Sequence, residues 1–474
     1  MVKMLQLFSV MTGLAAGEVD VDNSGLLQSS AQRVNRHKPY KAPPQCEFFD
    51  VGTPRLGKEK NVSPSDKKIY KKYLKYLDVE ELYEDIVKVM KDSQECWPAD
   101  GPQDGDKESY AGLFERLAWH CSGTYRNVNG KSSGGCEGGR NRHWPEKEWR
   151  DNGGLDQARA VLAQIKVMPK YQKLSWGDLM TFAGTVGIKA SGGPANKFCF
   201  GRIDDADGRE SIMLGSEGTT QCELGDDCVS HFDCETHFRW PEQDPNDHFR
   251  CNMTQPDGRF QGSHSVGLIY VYPEGPQLKS DNPEFDKTQK HQRSQSLSAL
   301  EVRDTFTRMG WTDQETVALI GGGHTLGRMH GNCANANNKQ PCIGEFTSTS
   351  GFNGAWTRTP SQWNYDYFEA MLEYKWVATK SPDGNDQWGP DSKNPFVGTY
   401  RLTADLALVT DHDYKKWAIK YAWDHDLFDK DWADAFFKLT HRSGGHPHED
   451  DLEKDAGKCT SFSFLSNKKD KKGK

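Results

Sequence analysis

ERLAWHCSGTYR, residues 115–126, lies within a helical run of apolar spacing, YAGLFERLAWHC. Arg116 and His120 are four residues apart and Trp119 is three from Arg116, so one side of the helix can present all three. That side offers a base, a fixed cation and an aromatic ring. A helix that only buries a core has little use for Arg there, because an enclosed guanidinium must be paired or hydrogen-bonded. Taken alone, the stretch fits equally an amphipathic boundary with Arg116 and His120 in water.

A second histidine stretch, VALIGGGHTLGRMHG (317–331), places His324 after an apolar run and three glycines, where backbone can approach a flat ligand closely. A histidine in a glycine-rich turn is also commonly a structural hydrogen-bonding residue, but imidazole is a usual axial ligand of haem iron. Around both stretches the spacing is helical: LYEDIVKVMKD, LDQARAVLAQIKVM, LSWGDLMTFAGTVGIKA, LEVRDTFTRMGW, DQETVALIG, WNYDYFEAMLEYKW, YKKWAIKYAWD and DWADAFFKLTHR. VGLIYVY (266–272) is the best strand-like alternation, so the expected class is all-α, mainly helical. Residues 18–64 read as an extended N-terminal arm, 65–445 as the packed domain and 446–474 as a charged, disordered tail ending in NKKDKKGK. The segment from about 201 to 265 is irregular and rich in Gly, Asp and Cys, an uncommon loop unless functional or cross-linked.

The chain has 474 residues, enough to bury a substantial core, and 27% are charged for a net charge of -8. No cationic field is present to attract nucleic acid, and no apolar run is long enough for a membrane span. Residues 1–17, MVKMLQLFSVMTGLAAG, have the lysine, short apolar core and small residues of a secretory signal peptide, with an organellar destination as the alternative. Of the twelve cysteines, Cys199, Cys222, Cys228, Cys234 and Cys251 fall in one stretch and point to disulfides of undetermined connectivity. The even spacing of Cys222, Cys228 and Cys234 is too wide for a usual zinc site. Sequons at Asn61 and Asn252 agree with secretion.

Three partial motifs carry nothing. The phosphate-loop ending at Gly130 has Tyr125 where its first glycine belongs, and a calcium loop around Gly208 would need acids at Ile203 and Leu214. Gly323 and Gly327 do not have dinucleotide-loop spacing.

RLAWH followed by GTYR, then LSWGDLMTFAG, ASGGP, GLIYVYPEGP, VALIGGGHTLG, AWTRTPSQW, KSPDG and KLTHR stand in the order found in class I haem peroxidases, and the chain resembles their catalase-peroxidase branch. The resemblance runs from about residue 65 to 442. It implies a haem peroxidase fold with one haem b held between distal and proximal helical halves. His324 is then the iron ligand, oriented by Asp405 in LTADLAL, with Trp356 of AWTRTP as the proximal tryptophan. On the distal side, the resemblance makes His120 the base that moves the peroxide proton and Arg116 the cation that stabilises charge as the O–O bond breaks, giving a ferryl haem. It also makes Asn152 the partner of His120 and Asp151 the guard of the peroxide channel, although both also suit the turn DNGG. Trp356 would otherwise be ordinary core packing.

The catalase-peroxidase branch differs from ascorbate and cytochrome c peroxidases by a covalent cross-link of Trp, Tyr and Met. The matching positions are Trp119, Tyr270 and Met309; Arg442 matches a modulating arginine and Ser350 a position near the haem edge. Tyr270 and Met309 on their own would be a strand face and a helix core. The implied function is a bifunctional catalase-peroxidase acting on hydrogen peroxide, with a second peroxide or a small-molecule electron donor oxidised. The alternatives are a monofunctional class I peroxidase and a non-catalytic haem-binding scaffold. A homodimer is an open possibility of assembly. The sequence departs from the family in Cys121 and Ser122 after the distal histidine and in Tyr272 where Asn is common, and it is expected to work without the family's usual second domain. Disulfides among the cysteines of the long segment are the expected substitute for the missing support.

Overall fold

Asp66 starts the first helix, α1 (Lys67–Leu74), by accepting the backbone N–H groups of Lys68 and Ile69 at 2.8 and 3.0 Å. Asp78 caps α2 (Val79–Met90) and Ser175 caps α5 (Trp176–Ala190) in the same way. Between them lie α3 (Ala111–Ser122) and α4 (Leu155–Lys166). The second half contains α6 (Asp313–Gly323), α7 (Asp366–Glu373), α8 (Thr403–Thr410), α9 (His412–Trp423) and α10 (His425–His441). Thr312 and Glu315 exchange hydrogen bonds at the start of α6, a capping box that satisfies two otherwise orphaned donors.

The computed structural model describes residues 66–94, 99–100, 107–128, 131–143, 146–148, 152, 154–212, 295–329 except 297, 301, 304 and 308, then 352, 354–381, 386–441 and 457–465. These belong to one compact unit, Phe48–Lys474; a separate unit, Met1–Glu47, lies outside the described residues. The expected signal peptide and N-terminal arm, nearly all of the 201–265 segment, and VGLIYVY are also outside them. The described part is mainly helical, as the spacing predicts.

Helices α3 and α5 pack extensively along one another. A Cβ on Gly184 would stand 2.5 Å from Ala118 Cβ, and one on Gly187 would stand 3.0 Å from the Ala111 carbonyl. These two glycines therefore let the backbones approach within a distance that side chains would forbid. Leu113, Phe114 and Leu117 of α3 and Leu179, Met180 and Phe182 of α5 are all buried in one continuous core. At about 25 cal/mol per Å2, each fully buried Leu or Phe contributes roughly 1.5–3 kcal/mol.

Strands are short and paired two by two. β1 (Arg126–Val128) pairs with β2 (Lys131–Ser133), β3 (Phe198–Phe200) with β6 (Lys458–Thr460), and β4 (Trp376–Lys380) with β5 (Asp386–Pro390), all antiparallel. Disulfides join Cys121 to Cys136 and Cys199 to Cys459. Two expectations change here. The described part of 446–474 is no loose tail: Phe462 is 3% exposed and stacks on Phe182, a small apolar island that the surrounding lysines hide from an averaged reading. Cys199 bonds outside the long segment, to Cys459, while Cys222, Cys228, Cys234 and Cys251 lie outside the described residues.

Candidate active site

His324 follows the last residue of α6, and its Nδ1 lies 2.7 Å from Asp405 Oδ1. Asp405 is fully buried at the start of α8, where Oδ2 accepts the Leu402 backbone N–H at 2.6 Å. Oδ1 also accepts the Tyr367 hydroxyl at 2.6 Å. Three donors thus hold one carboxylate, and that carboxylate fixes the imidazole ring through one nitrogen. The Trp356 ring lies flat against His324, with centroids 3.9 Å apart and planes 4° apart. Tyr367 meets the same imidazole edge-on at 5.7 Å.

His120 is buried in the last turn of α3. Its Nδ1 is 2.8 Å from Asn152 Oδ1, and Asn152 Nδ2 donates to the Glu146 carbonyl at 2.6 Å. Burial, and then the positive charge of Arg116, push the His120 pKa well below its usual range, against an upward pull from the Asn152 bond. The imidazole is consequently neutral at ordinary pH, as a base must be, with Nδ1 engaged and Nε2 the nitrogen that would work on a ligand. Trp119 stacks on Phe306 at 5.4 Å, three residues before the fully buried Met309.

The two histidine stretches are packed together. A Cβ on Gly112 of α3 would meet the Gly327 backbone at 2.5 Å, and Glu115 Oε1 lies 3.1 Å from where a Gly323 Cβ would be. Among the described residues no group of three or more His, Cys, Asp or Glu could hold a metal ion. A single imidazole backed by a carboxylate suits the axial position of a porphyrin iron. A carboxylate-backed imidazole on one side and a neutral base beside a guanidinium on the other fit haem chemistry.

The structure thus brings His324, Asp405 and Trp356 together, and likewise His120, Arg116 and Asn152. Asp151, Tyr270, Ser350 and Arg442 lie outside the described residues. Sequence reasoning missed Tyr367 and Glu146. Tyr367 reads as one more apolar position of a helix, and Glu146 belongs to the charged run EKE that looks like surface, yet it is 1% exposed with Oε1 accepting the Ser211 hydroxyl at 2.6 Å. Glu115, next to Arg116 in sequence, is also buried, and burial raises its pKa well above the carboxylate range.

Residues 89–424 match the family described as peroxidase. Curated relatives include catalase-peroxidases from Blumeria hordei, 36% identical over 79% of this chain and 50% of the relative, and from Geobacillus stearothermophilus, 36% identical over 82% and 51%. Another, from Vibrio cholerae, is 36% identical over 79% and 50%. The chain spans about half the length of the curated relatives it matches.

Proposed function

Because the chain belongs to the peroxidase family, whose cofactor is haem b, we propose that it is a catalase-peroxidase that reduces hydrogen peroxide and oxidises either a second peroxide or a small electron donor. The observation that carries this reading is the pair of oriented histidines, His324 on Asp405 and His120 on Asn152. His324 would hold the iron through Nε2. The haem, when bound, supplies the redox chemistry; the remaining work belongs to side chains. His120 takes a proton from the peroxide oxygen nearer the iron and returns it to the farther oxygen, while Arg116 stabilises negative charge as the O–O bond lengthens. Asn152 keeps the His120 ring turned for both transfers, and Asp151 guards the channel. Ser350 belongs to this reading only as the match, by resemblance, to a position near the haem edge.

The catalase half rests on a cross-link of Trp119, Tyr270 and Met309, modulated by Arg442. The stacking of Trp119 on Phe306, in the turn that leads to Met309, supports the Trp and Met members. An oxygen electrode tests the claim: wild type should release oxygen from hydrogen peroxide, and Tyr270→Phe should lose that release while still oxidising a donor. Equal oxygen release by both proteins would leave the monofunctional peroxidase as the better reading. Two disulfides among the described residues favour an oxidising, secretory location, and expression with and without residues 1–17 tests it. Among the described residues no helix is long and apolar enough to cross a membrane.

A further inference from the structure

Arg401 lies just before α8 and is fully buried. Its backbone is fixed by exchanging hydrogen bonds with Trp388 of β5, at 2.8 Å in each direction. The guanidinium collects carbonyls from three segments of the proximal side: Nη1 donates to Trp356 at 2.6 Å and to Tyr400 at 2.8 Å, and Nη2 to Tyr367 at 3.4 Å. Cζ sits 4.3 Å from the Trp376 ring centroid and 4.8 Å from that of Tyr367. Nε is buried without a partner. Every acceptor that Arg401 has among the described residues is thus a neutral carbonyl.

A buried cation with neutral partners is expensive. Burial pulls the Arg401 pKa down to about 10, against the opposing pull of Tyr367, Asp405 and Asp366, so the guanidinium keeps its charge through neutral pH. Riveting carbonyls together explains the donors but not the charge, because a neutral amide could donate to Trp356 with less to desolvate. The place of the charge supplies the reason. Tyr367 has its ring against the guanidinium and its hydroxyl on Asp405 Oδ1 at 2.6 Å, the oxygen that also holds His324 Nδ1 at 2.7 Å. A cation against a phenol ring draws electron density from the phenol oxygen and makes its O–H the stronger donor. The more charge Asp405 commits to that bond, the less it offers to His324. The carbonyl that Arg401 holds most closely belongs to Trp356, whose ring lies flat on the same imidazole.

We propose that Arg401 is a positioning residue that acts on His324 through Tyr367 and Asp405, setting the reduction potential of the haem iron higher than the His324–Asp405 pair alone would give. This rests on the peroxidase reading above, in which His324 holds the iron. The sign follows from charge. A carboxylate that accepts strongly from the imidazole makes it a more electron-rich ligand, which favours ferric iron. Charge that Tyr367 draws from Asp405 moves the balance toward ferrous iron. The field of Arg401 itself acts in the same direction, because the ferrous site carries one more electron. No proton has to leave any of the four residues.

The haem-loaded protein and its variants are titrated between ferric and ferrous forms with redox mediators and followed by visible spectrum, while circular dichroism of the haem-free proteins checks folding. Arg401→Gln keeps a donor for the Trp356 carbonyl but no charge. It should favour the ferric form by on the order of tenfold in the equilibrium constant, a fall of about 59 mV in the one-electron midpoint. Arg401→Lys, charged but with a poorer fork of donors, should recover most of that loss. Tyr367→Phe should lower the midpoint too, and adding Arg401→Gln to it should lower it further by less than Arg401→Gln does alone. A wild-type midpoint in Arg401→Gln, or one in Arg401→Lys as low as in Arg401→Gln, would overturn the role of the charge. Fully additive losses would overturn its passage through Tyr367. If Arg401→Gln does not fold or holds no haem, Tyr367→Phe decides, and a midpoint there at or above wild type refutes the proposal. A folded wild type that binds no haem would overturn the peroxidase reading itself and the inference with it.

Discussion

Replacing Glu146 by Gln removes a carboxyl whose pKa burial raises from 4.5 to about 7, against the opposing pull of the Ser211 hydrogen bond and the charge of Arg140. Oε1 has Ser211, but Oε2 is buried without a partner, so ionisation is poorly compensated. The folded state therefore holds a proton that the unfolded chain has released across this interval. The stability from that extra proton is fully present below pH 4.5 and is lost as the pH rises through about 7. Its full size is about 3 kcal/mol, of which about 2.5 kcal/mol falls between pH 5 and pH 8. His120 has the opposite slope, with its stability lost as the pH falls below its ordinary value, but it is common to both proteins and cancels in the comparison. Urea unfolding of wild type and Glu146→Gln at pH 5, 6.5 and 8 measures the difference. The variant should gain on wild type by about 2.5 kcal/mol from pH 5 to pH 8, whatever constant offset its amide adds. Parallel stability curves would show that Glu146 ionises normally. Since the Glu146 carbonyl is untouched, Asn152 and His120 should keep their geometry, and the peroxide reaction should change little.

Asp405→Asn loses the charge that His324, Tyr367 and the Leu402 N–H share, and should weaken haem retention or turnover by roughly 10–100-fold, read by haem titration and the visible spectrum. Asn152→Ala should slow the reaction with peroxide by about 10-fold or more in stopped flow, because the His120 ring loses its orientation. Its acid limb should move to lower pH, because the Asn152 bond pulls the His120 pKa upward. Cleaving Cys121–Cys136, which closes 15 residues, should cost about 3 kcal/mol, and Cys199–Cys459, which closes 260, about 5.5 kcal/mol; single Cys→Ser pairs and thermal melts check both.

The helices were legible in the sequence because their apolar spacing is regular, and α3 and α6 lie where the two histidine stretches predict them. The distal trio could be aligned from one helix alone, since three- and four-residue spacing fixes a face. What spacing does not reveal is contact between distant segments. Asn152 is 32 residues from His120, and Asp405 is 81 from His324. Those pairs came from resemblance, not from residue pattern. Tyr367 shows the limit most clearly: nothing in WNYDYF separates a core ring from one whose hydroxyl reaches Asp405. The short β4–β5 hairpin was missed for a related reason, because WVATK and DQWGP gain their order from pairing with each other, not from strong alternation.

The pairing of β3 with β6 has a consequence for the order in which the protein can be made. Phe198, Cys199 and Phe200 leave the ribosome long before Thr460, Cys459 and Lys458, their partners. Until then α5 carries Phe182 without Phe462 over it, and Tyr83 lacks both Phe462 and Phe464. Contacts so far apart in sequence close late and slowly, so apolar surface stays exposed during synthesis and invites aggregation or chaperone binding. A nascent chain halted before residue 457 should therefore be protease-sensitive around α2 and α5 even with both histidine stretches already made, whereas one extended past 465 should be protected there.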